Sequence, residues 1–504
     1  MPLVDRSAVR GIRLPERRAL RAVTLSSLAA LLLAGCAEIP DARPQVAQVQ
    51  APQLGLDTQA PAIDATWWTA YSDPQLNRLI ELSLADNPTL DTALARLRAA
   101  VANVEVRHAA QLPQISADGD VQHERFSNDY LIPPPYAGTD KWVPTIQGSL
   151  SWDLDLFGRQ MALVAQAKSS ADAQRLDTAA ARLAIATAVA QSYVGLAAAE
   201  RQITVADGFV QTRRKAVRLA KSRSENELSD AFDLRQAETL LAEAEQARTR
   251  AVGQRDMMVH ALAALAGRGA DFYAQIGKPA LALDQAPAVP GVIPADLLGR
   301  RPDLLAGQAR IDAAVSGRTA ARADFFPNVN LQALVGLASI GFGNFVGAGS
   351  AQYSVGAAVH VPIFEGGKLR AQYRGATADL DAAVADYNNA VIGAVRQSAD
   401  ALTEIRATDE DVAEQRRVLN GLRETVRLDQ VRVTTGLSSQ LDTIDSGFRL
   451  LEAEQSLINL QADAITHRVQ LVAALGGGFS PSQPLTTAKS DQPPTTALSK
   501  DSRS

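Results

Sequence analysis

Apolar residues recur at alternating steps of three and four positions through the last third of the chain. That spacing is typical of a helix whose seam packs against another helix. The pattern follows Gly366, breaks at Thr434-Thr435-Gly436 and resumes until Gly476, which predicts a turn at Gly436 and a helix C-cap at Gly476. The first helix would be roughly 100 Å long, which exceeds an ordinary globular core and indicates a strut or a wall. The seam positions are Leu380, Val384, Tyr387, Val391 and Ala394, then Leu450, Ala453, Leu457, Leu460, Ala464, His467 and Leu471.

An earlier stretch of the chain carries a copy of this hairpin. Residues 242–246 (AEAEQ) align with residues 451–455 (LEAEQ), 209 positions later. Further matches at or near this offset are Leu228 with Leu437, Gly267 with Gly476, and Asn87-Pro88 with Arg301-Pro302. The sequence therefore predicts two copies of one unit, each built from a helix, a strand pair and a long helical hairpin.

Each copy also contains two runs in which apolar and polar residues alternate. The runs are about ten residues long, which is the length of a transmembrane strand, although a strand of a soluble sandwich would look similar. Four strands cannot close a membrane barrel, and open strand edges are not tolerated in lipid, so several identical chains must contribute to one barrel. The alternating positions are Ile115 to Val121, Ile146 to Leu156, Val329 to Val335, and Tyr353 to Val361.

The N-terminus reads as an export signal. Residues 1–35 hold six arginines, and the apolar stretch from Val23 to Leu33 is too short to span a bilayer. The stretch ends in Leu33-Ala34-Gly35-Cys36, which resembles the bacterial lipoprotein lipobox, whose cysteine is acylated and becomes the mature N-terminus. A lone cysteine is more often a small buried hydrophobe, but this context favours lipidation of Cys36. Ala37 in the next position suggests sorting to the outer membrane.

Composition and charge exclude several functional classes. The single cysteine rules out an intrachain disulfide, and aromatic residues make up only 5% of the chain. The net charge is −5 over the whole chain, and since residues 1–35 carry +4, the remainder carries −9. A net negative charge does not indicate binding to nucleic acid, so we predict no nucleic-acid partner.

No constellation in the sequence indicates catalysis. The histidines lack the spacing of metal ligands, and no nucleophile elbow or cofactor loop is present, so we predict no catalytic residue, no metal and no cofactor. Asp153 and Asp155 are two positions apart and are expected to line the polar face of a strand rather than to form a catalytic pair. The five histidines are His108, His123, His260, His360 and His467.

Taken together, five motifs resemble those of the outer-membrane factor family, in particular the lipoprotein channels of resistance-nodulation-division multidrug efflux systems. They cover Cys36 to about Phe479. The motifs are Leu33 to Cys36, Trp67-Trp68 with Asp73 to Leu76, Trp152 to Arg159, Pro362 to Gly367, and Leu475 to Gly478.

This resemblance implies a mainly α fold with a membrane β-barrel. A homotrimer would form a twelve-stranded outer-membrane barrel, with four strands per chain, above a periplasmic barrel of twelve helices and its surrounding belt. The partners would be a periplasmic adaptor protein, an inner-membrane transporter of the resistance-nodulation-division type and outer-membrane lipid. The channel would conduct drugs or other small molecules passively, without being an enzyme.

The resemblance also places a gate and an adaptor contact. Following Gly436, the gate leucine falls on Leu441 and the gate aspartate on Asp445. The alternatives without a gate are that Leu441 is a residue of the helix seam and that Asp445 is a solvated surface carboxylate. The resemblance implies an arginine three positions after the gate aspartate, where this chain has Phe448, followed by Arg449. Adaptor contact is expected at the two hairpin tips, unless these are turn residues only. The tip residues are Glu227, Leu228, Ser229, Thr435, Gly436, Leu437 and Ser438.

The chain divides accordingly, and two other functions remain open. A one-step protein secretion channel shares the fold, but such channels typically lack a lipobox; the other alternative is a non-conducting trimeric envelope scaffold. The predicted segments are a signal peptide (1–35), a tether (36–65), first-copy helices with a belt segment (66–112), strand pair 1 (113–157), periplasmic hairpin 1 (158–267), an inter-copy linker (268–300), a second-copy helix (301–326), strand pair 2 (327–364), periplasmic hairpin 2 (365–476) and a disordered tail (477–504).

Overall fold

A computed structural model describes residues 39–50, 54, 63–129, 131–289, 291, 297–438 and 440–480. The predicted signal peptide, Cys36 and the tail from residue 481 lie outside the described residues. In chain order the elements are α1 (Pro74–Asp86), α2 (Pro88–Ala109), β1 (Gln114–Arg125), β2 (Asp140–Asp153), α3 (Arg159–Glu225), α4 (Ala231–Leu265), α5 (Leu297–Arg300), α6 (Pro302–Ala323), β3 (Asn328–Ala338), β4 (Ala351–His360), α7 (Lys368–Thr434) and α8 (Gln440–Ala474). Short 3-10 helices span Trp67–Tyr71, Ala270–Gln275 and Ala348–Ser350.

The chain forms two compact units, of which the first contains the strands. They form one antiparallel sheet in the order β1-β2-β3-β4, which joins the strand pairs of the two copies side by side. The register pairs Gln114 with Ser151, Thr145 with Ala338, and Asn328 with His360. Among the described residues, the outer edges of β1 and β4 have no partner strand, and almost every residue of these two strands is exposed. The sheet is therefore open on both sides.

The junction between β2 and α3 corrects one expectation. β2 ends at Asp153, so Asp155 does not line the polar face of that strand. Asp155 instead adopts a left-handed φ of 46°, and its two carboxylate oxygens accept hydrogen bonds from the backbone N–H groups of Gln160 and Met161, each at 2.8 Å. These are donors of the first turn of α3 that have no partner within the helix. Asp155 is thus a helix cap, which a two-residue alternation cannot reveal.

The second unit has a core that joins the N-terminal elements to the hairpins. The 3-10 helix at Trp67 and helix α1 pack against α3, α4, α8 and the residues that follow α4. Most side chains from the middle of α3 that face this core are small or medium-sized, such as Ala186, Val189 and Ala190. Alanine lets neighbouring helices approach closely, which explains why a chain with few aromatic residues forms a continuous core.

Helix α3 also contains a window of 18 residues that is apolar enough to cross a membrane. However, 56% of this window is buried within the chain. A core helix passes the same test of length and composition. We therefore interpret this part of α3 as the spine of the second unit.

The two helix joints of the second unit are built in the same way. Before Pro88 at the start of α2, the Asn87 side-chain amide donates a hydrogen bond to the carbonyl of Leu265, at the end of α4, at 2.7 Å. At the equivalent joint, the Arg301 guanidinium donates to the carbonyl of Ala474, at the end of α8, at 2.9 Å. The last carbonyls of a helix have no partner within it, so both side chains act as C-terminal caps.

A glycine completes each joint. Gly267 and Gly476 follow α4 and α8 with φ of +67° and +94°, in the left-handed region. A Cβ atom at either position would lie 2.2 Å from a backbone carbonyl oxygen, of Asp86 or of Arg300 respectively. Only glycine fits both the conformation and the close approach. This explains why the sequence repeats glycine at these two positions.

Candidate functional site

The tip of the first hairpin lies between α3 and α4. Glu227 has a left-handed φ of 58°, and the N–H of Leu228 donates to the carbonyl of Arg223 at 2.8 Å. This is a Schellman motif, which satisfies carbonyls at the end of a helix. The Asp230 carboxylate then accepts hydrogen bonds from the first N–H groups of α4 and caps its N-terminus.

The tip of the second hairpin repeats this geometry 209 positions later. Gly436 has a φ of +73°, and the N–H of Leu437 donates to the carbonyl of Arg432 at 2.8 Å. The Thr435 hydroxyl donates to the carbonyl of Val431 at 2.9 Å, which closes the last turn of α7. The predicted turn at Gly436 is confirmed, and the equivalent residue in the first copy is Glu227.

Both tips present a leucine to solvent. The side chain of Leu228 is 69% exposed and that of Leu437 is 74% exposed. A Schellman motif commonly packs this residue against an apolar side chain one turn earlier, but here that position is Arg223 in the first tip and Arg432 in the second. Each tip therefore combines an uncovered apolar group with a nearby cation.

The remaining predicted tip residues differ in their surroundings. Glu227 and Thr435 are exposed, whereas Ser229 and Ser438 are partly buried. The Ser229 hydroxyl is inaccessible and has no hydrogen-bond partner among the described residues. Glu227 occupies a conformation that favours glycine, which costs about 1 kcal/mol or more.

An ion pair crosses each hairpin below its tip. Arg214 on α3 donates to Glu245 on α4 at 2.8 Å, and Arg423 on α7 donates to Glu454 on α8 at 3.2 Å. Both members of each pair are shifted by 209 positions between the copies. The pairs are at least partly exposed, so each contributes at most about 1 kcal/mol. Their repetition shows that both hairpins hold their arms in the same register.

The predicted gate residues lie on the first turns of α8. Leu441 and Asp445 belong to this helix by their backbone, but their side chains lie outside the described part of the chain. Phe448, at the position where the resemblance led us to expect arginine, is 36% exposed, and Arg449 next to it has an interaction partner. The gate assignment therefore stays a prediction.

The sequence analysis did not predict a polar network where the start of α1, the middle of α3 and the segment after α4 meet. Asp73 is buried, and its Oδ1 accepts the N–H of Gln75 at 2.9 Å at the start of α1. Its Oδ2 accepts the Tyr193 hydroxyl of α3 at 2.7 Å and the N–H of Ala280 at 2.9 Å. Burial, the largest cause, together with Asp73 raises the pKa of Tyr193 far above its ordinary value. The Asp73-Pro74 pair indicates a helix start, but the sequence does not show which distant groups bind the Asp73 carboxylate.

Among the residues that the structure describes, no group of three or more His, Cys, Asp or Glu side chains could hold a metal ion. His260 lies against Tyr273, with 4.4 Å between ring centroids, and His467 lies 3.1 Å from Glu404. These contacts are those of packed or paired surface side chains. The described chemistry is thus that of helix ends, ion pairs and an open sheet.

Comparisons with known proteins agree with this architecture. The family described as Outer membrane efflux protein matches residues 79–268 and 293–477, one segment for each copy. The chain is 35% identical to the fusaric acid resistance protein FusA of Burkholderia cepacia over 364 residues, which cover 69% of this chain and 68% of the relative. It is 29% identical to the antibiotic efflux pump outer membrane protein ArpC of Pseudomonas putida, over 90% of this chain and 96% of the relative.

A solved structure is similar over most of its length. The outer membrane protein VceC of Vibrio cholerae is 30% identical and superposes with a TM-score of 0.76, over 83% of this chain and all of that one. The similarity extends over both copies of the repeat, because no single copy could account for such coverage.

Proposed function

The chain belongs to the outer membrane efflux protein family, and from this premise we propose that it is the outer-membrane channel of a tripartite efflux system. In this role it is the exit duct through which an inner-membrane pump and a periplasmic adaptor discharge drugs or other small molecules. The observation that carries the proposal is the duplicated hairpin joined to an open four-stranded sheet.

The open sheet supports a homotrimer. The free edges of β1 and β4 would leave backbone N–H and C=O groups unpaired in lipid, at a cost of several kcal/mol per group. Edge pairing with two further copies closes a barrel of twelve strands, which lies within the range of outer-membrane barrels. The mainly exposed side chains of the sheet then divide between lipid and lumen.

Conduction through this channel is passive in our proposal. Relatives are named for efflux of antibiotics and for resistance to fusaric acid, so we propose small organic molecules as the cargo. The pump supplies the energy and most of the selectivity. The channel performs no chemical step.

Two partners follow from this arrangement. The exposed leucines of the hairpin tips, Leu228 and Leu437, are the proposed contacts for a periplasmic adaptor. The surrounding tip residues Glu227, Ser229, Thr435, Gly436 and Ser438 complete each contact. The inner-membrane transporter, of the resistance-nodulation-division type, would connect through the adaptor.

We also propose that Cys36 anchors the chain to the outer membrane by acylation. The support is the lipobox sequence that precedes it and the alanine that follows it. Cells grown with labelled palmitate would incorporate label into the wild-type chain but not into Cys36→Ser. Equal labelling of both would contradict the anchor without affecting the channel.

Planar-bilayer recording of the purified full-length protein tests the channel itself. We expect discrete conductance steps from a trimeric species, with a preference for cations if Asp445 rings the constriction. A trimer that conducts no current would be the envelope scaffold, whereas a protein that stays monomeric in detergent would contradict both the channel and the scaffold. If the chain is an efflux channel, deletion of its gene would make the cells more sensitive to small toxic molecules. If it is a secretion channel, the deletion would instead stop the export of a protein.

A further inference from the structure

The arm that leads to the tip of the first hairpin is strongly basic. Residues 211–225 of α3 hold six lysines and arginines against one glutamate, a net charge of +5. The matching residues 420–434 of α7, which follow 209 positions later, hold three arginines against one glutamate and one aspartate, a net charge of +1. The two arms are equivalent helices, so the second copy serves as an internal reference for the charge of the first.

Each of the three arginines near the end of α7 has an acidic partner. Two of these ion pairs join residues three positions apart, which is a spacing at which helical side chains meet, and the other crosses the hairpin. The arm of the second copy is therefore neutralised locally. The pairs are Arg423 with Glu454 on α8 (3.2 Å), Arg427 with Glu424 (2.6 Å) and Arg432 with Asp429 (3.8 Å).

The first copy keeps the pair that crosses the hairpin but loses the two pairs within the arm. Lys215 and Ala220 stand where α7 has its glutamate and its aspartate, while Arg218 and Arg223 align with the arginines that those acids pair with. Among the described residues, the side chains of Lys215, Arg218 and Arg223 are exposed and form neither a hydrogen bond nor an ion pair. These three cations are thus left without an acidic partner.

Four exposed basic side chains form a stripe along one side of α3. Positions 214, 218 and 221 are four and three apart, the spacing of neighbours on one helix face, and position 215 lies beside them. Lys221 is only weakly neutralised, since its ion-pair partner Glu225 is 3.8 Å away. The basic stripe consists of Arg214, Lys215, Arg218 and Lys221, and it extends roughly 10 Å along the helix axis.

The basic stripe leads to the exposed leucine of the first tip. Helix α3 ends at Glu225, and the N–H of Leu228 donates to the carbonyl of Arg223. In protein–protein contacts a buried apolar anchor supplies affinity, and charges beside it supply association rate and selectivity. A flat membrane surface would instead meet the ends of both hairpins and would not distinguish the first from the second. The stripe therefore fits the side of an acidic protein helix better than a lipid surface.

We propose that the basic stripe binds an acidic helical segment of the periplasmic adaptor, beside the contact made by Leu228. Carboxylates three and four positions apart on the partner helix would match the spacing of Arg214, Arg218 and Lys221, and would form charge-assisted hydrogen bonds with them. The inference rests on the proposed adaptor contact and deepens it. The two hairpin tips are then not equivalent, because only the first carries an electrostatic contact next to its leucine.

Fluorescence anisotropy of labelled peptides, with the full-length protein in a neutral detergent, tests the stripe. The probe is an amphipathic helical peptide with leucine on one face and glutamate on the other, and the reference peptide has glutamine in place of every glutamate. We expect the acidic peptide to bind about tenfold more tightly at about 50 mM NaCl, and this difference to vanish at about 500 mM, because salt screens exposed charges. Equal binding of the two peptides at low salt would overturn the proposal.

An exchange of residues between the two copies assigns the site. The first variant gives α3 the three residues that α7 has at the matching positions, and it should lose the preference for the acidic peptide. The reverse variant makes the opposite replacements in α7 and should bind an additional acidic peptide per chain. Circular dichroism should show unchanged helix content in both, since each residue already occupies the equivalent helix. A preference that survives the first exchange, or a reverse variant without additional binding, would overturn the proposal. The two variants are Lys215→Glu with Ala220→Asp and Lys221→Gln, and Glu424→Lys with Asp429→Ala and Gln430→Lys.

Two further measurements separate the alternatives. Phosphatidylglycerol mixed into the detergent should leave the acidic peptide bound, and complete displacement would assign the stripe to an anionic lipid and overturn the proposal. Planar-bilayer recording of the same preparation tests the channel independently. A conducting trimer without the peptide preference contradicts this inference alone, whereas a non-conducting protein contradicts the proposed function and the adaptor contact on which the inference rests.

Discussion

The Tyr193 hydroxyl donates a hydrogen bond to the Asp73 carboxylate, with 2.7 Å between the two oxygens, although the residues lie 120 positions apart. Asp73 also caps α1 and accepts the N–H of Ala280. One buried carboxylate therefore joins the N-terminal helix, the long helix α3 and the segment that follows α4. This contact positions the N-terminal elements on the first hairpin.

Tyr193→Phe tests the weight of this contact. Removal of the hydroxyl takes one donor from a buried carboxylate, which should cost about 1–3 kcal/mol of unfolding free energy. Denaturant unfolding at neutral pH measures the difference. Tyr136→Phe is the control, since Tyr136 is exposed and should change stability by less than about 0.5 kcal/mol. Equal stability of the two variants would show that the network carries no net energy.

Alkaline pH should destabilise the folded chain through two tyrosines. Burial raises the pKa of Tyr71 to about 12, and burial with the contact to Asp73 raises that of Tyr193 as well. The unfolded chain loses its phenolic protons first, near pH 10, so stability is constant below that pH and falls as pH rises above it. Unfolding curves between pH 9 and 12 would show a shallower loss in Tyr193→Phe than in wild type. The same slope in both would contradict the assignment.

The glycine at the second joint should resist substitution. Gly476→Ala places a Cβ 2.2 Å from the carbonyl oxygen of Arg300 and forces alanine into a left-handed conformation. We expect a loss of at least about 2 kcal/mol, by thermal or denaturant unfolding. Gly375→Ala is the matched control, because Gly375 lies within α7 with open space around it and alanine favours a helix. If Gly476→Ala lowers the unfolding free energy no more than the control does, the joint does not require glycine at this position.

Asp445→Ala should raise single-channel conductance in planar bilayers. A ring of symmetry-related carboxylates at a constriction narrows the pore and attracts cations. Removal of the ring should therefore widen the pore and weaken its preference for cations. Asp463→Ala is the control, since Asp463 is an exposed carboxylate farther along α8. Unchanged conductance and ion preference in Asp445→Ala would remove the gate assignment.

Leu228→Ser and Leu437→Ser should weaken adaptor binding. Burial of an exposed leucine contributes about 1.5–3 kcal/mol, so each change should lower affinity by roughly tenfold or more. Val418→Ser is the control, as Val418 is exposed on α7 about 24 Å before the end of that helix. Cysteines introduced at the exposed tip positions Glu227 and Thr435 should also cross-link to the adaptor. Cross-links that form equally well from a cysteine at Val418 would place the contact elsewhere.

Local patterns were enough to predict the elements. The two hairpins and the four strands lie where the seam spacing and the alternation placed them, and the predicted turn at Gly436 and the predicted C-cap at Gly476 both have a left-handed conformation. Asp155 was placed wrongly, because a strand that ends two residues earlier leaves no periodic signal. The alignment of the two copies pairs Asn87 with Arg301. It does not show that each of these side chains caps the C-terminus of another helix.

The sequence by itself determined the duplication, the helix and strand periods and the family, because each of these depends on residues near one another or on two aligned copies. Only the tertiary structure decided which polar groups meet: Asp73 with Tyr193, and Asn87 with the carbonyl of Leu265. Periodicity states which face of an element is buried. It does not state which distant side chain fills the space opposite, since that depends on how whole helices pack.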